Sequence, residues 1–355
     1  MFYPKHSDGR FRDRTVVVTG ASAGVGRATA LRFARAGAAV GLLARDGMAL
    51  EELKLEIESE GGRALAVPAD VSDADAVFAA SNRIETELGP IEAWINDAMV
   101  TVFSPVAEMT PQEFRRVTEV TYLGFVHGTM AALKHMRPRN HGVIVQVGSA
   151  LAYRGIPLQA AYCGAKYAIR GFTDSLRTEL IHDRSRIALT IVELPAVNTP
   201  QFDWARTHMP RAPRPVAPVF QPNAVADAIY AAACDPRREY WLGLSTMKVI
   251  LGNIVAPEFL DRFLGRMGYK AQERKMPVSS SRADNLLQPV HDGHRTHGSF
   301  GREAHSRMVV LSGGEVRCAA AIGGLALVGA AAAALGRGSR RTRRRVPVTK
   351  RSAIH

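Results

Sequence analysis

Short apolar runs alternate with longer amphipathic stretches from residue 15 to residue 194. The apolar runs are continuous and β-branched, as buried strands are, and glycines end several of the amphipathic stretches. Predicted strands cover residues 15–20, 38–45, 64–70, 91–97, 142–149 and 187–194, and predicted helices cover residues 26–37, 48–61, 73–88, 111–136 and 158–181. This alternation predicts an α/β fold, in which helices cover both faces of a doubly wound parallel sheet in three layers.

The regular pattern weakens after residue 195. Residues 209–222 are rich in proline, which favours an extended or loop-like backbone over a helix. A helix near 223–234 and a strand near 239–243 complete a catalytic domain that we place at residues 1–245. Residues 246–275 are amphipathic, and we predict a helical appendage that forms a substrate lid.

Residues 276–317 have the composition of a flexible polar linker, rich in serine, glycine and histidine. The histidines could indicate metal binding, but no cysteine or acidic cluster completes a set of ligands. We therefore predict a neutral linker and no metal site. The four histidines are His291, His294, His297 and His305.

The net charge of +13 is concentrated towards the C-terminus. Residues 276–355 contain 13 Lys and Arg against 4 Asp and Glu, while residues 1–275 contain 33 against 29. The main domain therefore gives no reason to expect nucleic acid as a partner. The three cysteines are far apart in the sequence, and no apolar run follows the N-terminal charges, so we expect the catalytic domain to be cytoplasmic.

An apolar segment at 318–336 and a basic segment at 337–355 form the tail. The apolar segment has the length of a membrane span, but it is mostly alanine and glycine, so the driving force for insertion is marginal. A spanning helix, an interfacial helix held by arginines on the cytoplasmic face, and a helix packed on the protein itself remain open. We favour membrane association.

A glycine-rich loop, TGASAGVG at residues 19–26, joins the first predicted strand to the first helix. Gly20, Gly24 and Gly26 allow a tight turn and a close approach of the backbone, so that a pyrophosphate can bind at the helix N-terminus. In this Rossmann-type position the loop predicts a dinucleotide site. Ser22 and Val25 in the same loop complete the predicted contacts.

The second predicted strand ends at LLARD, where an acidic residue would normally bind the adenosine ribose. Arg45 occupies this region and could pair with a 2′-phosphate, which favours NADP(H) over NAD(H). The alternative is that Arg45 is an ordinary surface residue and Asp46 binds the ribose.

Tyr162 and Lys166 lie one helical turn apart in AAYCGAKYA, a spacing that is uninformative alone. Together with the glycine loop and Ser149, however, the pair resembles the short-chain dehydrogenase/reductase family, over about residues 12–245. The resemblance implies that Ser149 holds the substrate oxygen and that Tyr162 is the general acid/base. It also implies that Lys166 binds the nicotinamide ribose and lowers the tyrosine pKa.

The same resemblance assigns further residues to the cofactor site. Asp70 should bond the adenine, with Val71 beside it. Asn96 matches the first residue of the family's Asn-Asn-Ala-Gly stretch, which here reads NDAM. Pro195 and Thr199 match a segment that contacts the nicotinamide. The departures are in NDAM and in Thr121, which stands where the family commonly has a catalytic asparagine. A threonine hydroxyl could keep the proton relay in altered form.

Two functions follow. The first is an NADP(H)-dependent oxidoreductase that interconverts an alcohol and a ketone or aldehyde, as a homodimer or homotetramer by family resemblance. The second is a sensor or membrane scaffold that binds cofactor and has lost turnover. We expect the wider segment at 196–275, which includes the helical appendage, to form the substrate lid. Its apolar residues suggest a lipophilic substrate, although they could equally form the core of the lid; they are Phe202, Trp204, Phe220, Trp241, Met247, Ile250 and Leu251.

Overall fold

The computed structural model describes residues 9–279, 282–319 and 321–322. Eight strands form one sheet, and shorter strands form three small sheets beside it. The strands are β1 (Thr15–Thr19), β2 (Ala39–Ala44), β3 (Arg63–Pro68), β4 (Ile91–Asn96), β5 (Val102–Phe103), β6 (Gly142–Ser149), β7 (Ile187–Leu194), β8 (Ala196–Val197), β9 (Arg206–Thr207), β10 (Arg211–Pro213), β11 (Val219–Phe220), β12 (Glu239–Leu242), β13 (Glu273–Pro277), β14 (Ala304–His305) and β15 (Val310–Ser312).

The main sheet has the order β15-β12-β7-β6-β4-β1-β2-β3, and its strands from β3 to β12 pair in parallel. The chain runs outward from β1 through β2 to β3 and then returns to place β4 on the other side of β1. Ligands of doubly wound sheets bind where the strand order reverses in this way, at the carboxyl ends of the strands. The predicted fold class is confirmed, and the glycine loop lies at this reversal.

Ten α-helices have assigned bounds in the part of the chain that the structure describes. They are α1 (Gly24–Arg35), α2 (Gly47–Ser59), α3 (Ala74–Leu88), α4 (Pro111–Thr118), α5 (Gly124–Met136), α6 (Ala160–His182), α7 (Gln201–Trp204), α8 (Pro222–Cys234), α9 (Gly243–Val255) and α10 (Pro257–Ala271).

The helices cover both faces of the sheet, as the alternating pattern predicts. On one face, α1, α2 and α8 bury an apolar cluster that includes Phe33, Leu53 and Ile229. On the other, α3, α5 and α6 bury a second cluster that includes Ile84 and Trp94. Because the strands are apolar on both faces, each layer of helices has a core of its own.

The predicted long helix at 111–136 is interrupted. It begins at Pro111 behind a capping box of Thr110 and Glu113, and a π-helical turn, Glu119–Leu123, separates α4 from α5. A π turn inserts one residue into the helical repeat and is frequent at functional sites. The turn changes the direction of every side chain within it, including Thr121.

The prediction of a flexible linker at 276–317 is wrong for much of its length. Strand β13 pairs with β10 and β14 pairs with β11, so both flanks of the segment are hydrogen-bonded to the main fold. Leu286 is fully buried, and residues up to Leu311 belong to one compact unit with the sheet. A polar composition concealed these anchors, because each depends on a partner far away in sequence.

The second compact unit begins at Ser312, and of it the structure describes residues 312–319 and 321–322, which are mostly helical. Among the described residues, no helix has both the length and the apolar character needed to cross a bilayer. Most of the predicted apolar segment at 318–336, and all of the basic segment at 337–355, lie outside the described residues. Membrane association stays a prediction.

Candidate active site

A cavity of about 660 Å³ opens at the carboxyl edge of the sheet. It brings together residues that are far apart in sequence but that follow neighbouring strands. The predicted site residues that line it are Gly20, Ser22, Gly24, Val25, Arg45, Asp70, Val71, Ser149, Tyr162, Lys166, Pro195 and Thr199. Three predicted residues, Gly26, Asn96 and Thr121, are not among those that line the cavity.

The glycine loop needs its glycines for different reasons. Gly20 and Gly24 have φ of +72° and +59°, in the left-handed region that favours glycine. Gly26 is required by space, because a Cβ atom there would lie 2.2 Å from the carbonyl oxygen of Gly20. The loop therefore brings its backbone and the first turn of α1 directly to the cavity, as a pyrophosphate site requires.

Ser149 and Tyr162 meet at the floor of the cavity. Ser149 ends β6, and its Oγ accepts a hydrogen bond from the amide of Leu151 at 3.1 Å. Burial raises the pKa of Tyr162 above its ordinary value, against the opposing effect of its side-chain hydrogen bond with Ser149. The protonated phenol is the form that donates a proton.

Lys166 lies beside Tyr162 and is almost fully buried. Its Nζ donates to the carbonyl of Val147 at 2.7 Å and lies 5.6 Å from the centroid of the Tyr162 ring. Burial lowers the pKa of Lys166, and the carboxylates of Asp97 and Glu193 oppose this shift. The ammonium group is thus held in a site where its charge acts strongly on its neighbours.

Asp97 is a site residue that the sequence reading missed. It lines the cavity directly after β4, and its Oδ2 would lie 3.0 Å from a Cβ at Gly26. Burial raises the pKa of Asp97, while the charge of Lys166 and a hydrogen bond from the Gly26 amide lower it. Asp97 is the last residue of the predicted strand at 91–97, at the carboxyl end where ligands of such sheets bind, and this position could have identified it from the sequence.

Asn96 occupies a different environment from the predicted one. Its Oδ1 accepts from the indole of Trp94 at 2.8 Å, and its Nδ2 donates to Gln146 at 2.9 Å and to Thr129 at 3.1 Å. The side chain is fully buried among these groups. This geometry does not support the predicted contact with cofactor, because successive residues of β4 point to opposite faces and Asp97, not Asn96, faces the cavity.

Thr121 is also directed away from the cavity. Its hydroxyl donates to the carbonyl of Val100 at 2.8 Å and accepts from the amide of the same residue at 3.1 Å. Within the part of the chain that the structure describes, the hydroxyl therefore stabilises the loop after β4. The geometry does not support the predicted place in a proton relay.

Arg45 follows β2 and lines the cavity as predicted. Its guanidinium donates to the backbone carbonyls of Asn285, Leu286 and Leu287. Asp46 lines the cavity as well; its Oδ1 caps α2 by accepting from the amide of Ala49 at 3.0 Å, and its Oδ2 contacts His291 at 2.7 Å. Asp70 accepts hydrogen bonds from Ser72 and Arg116, which hold its pKa below the ordinary value despite burial.

The apolar side of the cavity is formed partly by other residues than those predicted for the lid. Phe202 and Trp204 line it, but Phe220, Trp241 and Ile250 are buried in the protein core. Met247 and Leu251 do not line it either. Residues of α9 and α10 supply the apolar wall instead, namely Val249, Leu260, Phe263, Leu264 and Met267. One face of each helix was predictable as apolar, but which residues face the cavity depends on how the two helices pack.

Glu193 lies behind the site on β7 and gives a prediction about stability. Burial and repulsion from Glu239 raise the pKa of Glu193 to about 8, against a hydrogen bond from the Ser149 backbone and the charges of Lys166 and Arg170. The folded state thus keeps a proton that the unfolded chain releases above about pH 4.3. Stability is therefore lost as the pH rises towards 8.

Glu193→Gln cannot ionise, so the variant should gain stability relative to the wild type as the pH rises from 5 to 8.5. We expect a gain on the order of 1–3 kcal/mol at pH 8.5, measured by urea unfolding at several pH values. Glu179→Gln, at an exposed position of α6, is the matched control and should show no such trend. The prediction would be contradicted if the free energies of unfolding of Glu193→Gln and the wild type differed by the same amount at every pH.

Comparison with known proteins adds a family match. The family model described as short chain dehydrogenase matches residues 14–209. An uncharacterised oxidoreductase of Bacillus subtilis (strain 168), YxnA, is 30% identical over 292 residues, which cover 82% of each chain. A fatty acyl-CoA reductase of Acinetobacter baylyi is 31% identical over 230 residues, which cover 64% of this chain and 75% of that one.

A solved structure is similar as well. The crystal structure of a metagenomic short-chain oxidoreductase in complex with NADP matches with a TM-score of 0.53 and 26% identity, covering 63% of this chain and 92% of that one. The match extends over nearly the whole of the smaller protein.

Proposed function

The chain belongs to the short-chain dehydrogenase/reductase family, and we propose that it is an NADP(H)-dependent oxidoreductase that interconverts an alcohol with a ketone or aldehyde. The observation that carries the proposal is the convergence of Ser149, Tyr162 and Lys166 on one cavity beside the glycine loop. These groups provide a hydrogen-bond donor, a proton donor and a cation within a single site.

The residues present fit a dinucleotide. The loop around Gly20, Gly24 and Gly26 leaves a cradle of backbone amides that any Cβ at Gly26 would disrupt. Arg45 offers a guanidinium at the end of β2, where a 2′-phosphate would be recognised. Pro195 and Thr199 line the same cavity. When bound, the nicotinamide would supply or accept the hydride.

The chain's own groups then manage the substrate oxygen. Ser149 would donate a hydrogen bond to the carbonyl oxygen and so fix its position. Tyr162, whose pKa is raised by burial, would donate its phenolic proton to the same oxygen as the carbonyl carbon is reduced. Lys166 would stabilise the resulting tyrosinate from its buried position, and oxidation of an alcohol reverses these steps.

The substrate is proposed to be lipophilic. Aromatic and aliphatic side chains of α9 and α10, with Phe202 and Trp204, form the wall beyond the catalytic groups. An apolar wall binds hydrocarbon by removing it from water. The similar fatty acyl-CoA reductase supports a long-chain aldehyde or ketone as the first class to screen. Assembly as a homodimer or homotetramer stays a prediction.

The cofactor preference is tested at Arg45. Arg45→Ala should raise the Kd for NADPH by about 10- to 100-fold relative to the Kd for NADH, a loss of about 1.4–2.8 kcal/mol. The ratio of the two constants isolates the 2′-phosphate, because release of the carbonyls at 285–287 affects both dinucleotides equally. Fluorescence titration of the full chain measures both.

Arg83→Ala, which removes an exposed arginine of α3 paired with Glu87, is the control and should leave the ratio unchanged. If Arg45→Ala also left the ratio unchanged, Arg45 would not be the phosphate partner. If the wild type bound neither dinucleotide, the oxidoreductase proposal would fail.

A further inference from the structure

The segment at residues 282–300, which we call the C-terminal strap, crosses the carboxyl edge of the sheet. It is anchored by Leu286, whose side chain is fully buried in the apolar cluster of α3, α5 and α6. The amide of Asn285 donates to the carbonyl of Trp204 at 3.1 Å. The strap therefore has a fixed place on the protein, over the loops that follow β1, β2 and β7.

At the glycine loop, the strap uses a donor that a pyrophosphate would need. The amide of Gly24 donates to the carbonyl of Arg295 at 3.0 Å. Gly24 is the first residue of α1, and the amides of a first helical turn have no partner within the helix. One N–H group cannot serve the carbonyl of Arg295 and a phosphate oxygen in full at the same time.

At the end of β2, the strap uses the guanidinium that we assign to the 2′-phosphate. Arg45 donates to Leu287 at 3.0 Å, and to Asn285 and Leu286 as well. Arg116 donates to the carbonyl of Leu286 at 3.1 Å from the other side. Three backbone carbonyls thus engage both terminal nitrogens of Arg45, the nitrogens with which a phosphate would pair.

The far end of the strap is fixed next to the nicotinamide segment. The amide of Gly298 donates to the backbone carbonyl of Asn198 at 3.0 Å, and the amide of Phe300 donates to the side-chain Oδ1 of Asn198 at 2.9 Å. A Cβ atom at Gly298 would lie 2.3 Å from the carbonyl oxygen of Thr199, so the two backbones are in close contact. Both ends of the dinucleotide site are therefore engaged by one segment.

We propose that the C-terminal strap is an internal competitor of the dinucleotide, so that strap and cofactor occupy the carboxyl edge of the sheet alternately. This inference rests on the proposed function. Competition follows from the shared donors: the amide of Gly24 and the guanidinium of Arg45 serve either backbone carbonyls or phosphate oxygens. The apparent Kd for cofactor then exceeds the intrinsic Kd by the reciprocal of the fraction of molecules with the strap released.

Two variants of the full chain release the strap without altering a side chain that faces the cofactor. Gly298→Ala places a methyl group against the Thr199 backbone, whereas Gly301→Ala, its control, has open space around the added atom. Leu286→Ala removes the buried anchor at the other end and does not touch Thr199. Gly298→Ala and Leu286→Ala should each bind NADPH about tenfold more tightly, as expected if the strap is closed in about nine-tenths of molecules. Gly301→Ala should bind as the wild type does.

Hydrogen exchange of the wild type gives a readout that does not depend on turnover or on a variant. Saturating NADPH should accelerate exchange at the amides of Asn285, Gly298 and Phe300, because displacement breaks their hydrogen bonds. Slower exchange with NADPH would overturn competition, since the strap would then close over bound cofactor. Measurable binding of unchanged affinity in both variants would overturn the strap proposal alone. Absence of NADPH and NADH binding in every form would overturn the proposed function, and the strap proposal with it.

Discussion

Tyr162→Phe is expected to lower kcat/KM for carbonyl reduction by about 10²- to 10⁴-fold, the usual contribution of a positioned general acid. The phenylalanine ring keeps the packing beside Lys166 but has no proton to donate. Because Tyr162 acts on the substrate oxygen, the Kd for NADPH should change by less than about threefold. Steady-state reduction of long-chain aldehydes and ketones, with a parallel fluorescence titration, measures both quantities.

Tyr167→Phe, on the same helix and 44% exposed, is the matched control and should keep wild-type kinetics. Turnover by Tyr162→Phe within a few-fold of the wild type would rule out Tyr162 as the acid. A wild-type protein that bound NADPH but reduced none of the carbonyl compounds, with a cellular phenotype that Tyr162→Phe left unchanged, would favour the sensor or scaffold alternative.

Gly26→Ala is expected to have the second large effect. The added Cβ would lie 2.2 Å from the carbonyl oxygen of Gly20. Gly20 directly follows β1 and Gly26 is part of α1, so neither backbone can move away without displacing one of these elements. We expect a loss of about 1–3 kcal/mol in folding stability and at least a 100-fold weaker affinity for NADPH. Chemical denaturation and fluorescence titration measure the two effects.

Gly171→Ala tests the same substitution in α6, where the new atom meets nothing within 4 Å. That variant should be slightly more stable than the wild type, by up to about 1 kcal/mol, because alanine favours the helix over glycine. If Gly26→Ala kept both stability and affinity, the loop would have more freedom than the close contact indicates.

Much of the fold and part of the site could be predicted from the sequence because their signals are local. Buried parallel strands are apolar on both faces, so β1, β6 and β7 stand out as continuous runs with correct bounds to within a residue. The glycine loop depends on a few adjacent residues between a strand and a helix. Ser149, Tyr162 and Lys166 follow from spacing and family resemblance, and the structure brings them to one cavity.

Residues assigned by their position in a family motif were less reliable where the local backbone decides which of two neighbouring side chains faces the cavity. Asn96 and Asp97 are adjacent at the end of β4, and the pleat of the strand turns one into the core and the other to the cavity. Thr121 lies in a π turn, whose inserted residue changes the direction of the side chain. In both cases backbone geometry decides the outcome, and residue type does not reveal it.

The segment at 276–317 shows most clearly what composition could not predict. Its composition predicts a flexible linker, yet Arg45 bonds to residues about 240 positions later and Leu286 enters a core that the earlier helices build. Local periodicity determined the long strands of the main sheet and most of its helices, and adjacent residues determined the glycine loop, because each depends on neighbours in the chain; family resemblance added Ser149, Tyr162 and Lys166. Only the tertiary structure showed that the C-terminal strap lies on the carboxyl edge of the sheet, because backbone carbonyls that satisfy distant donors leave no pattern in the sequence.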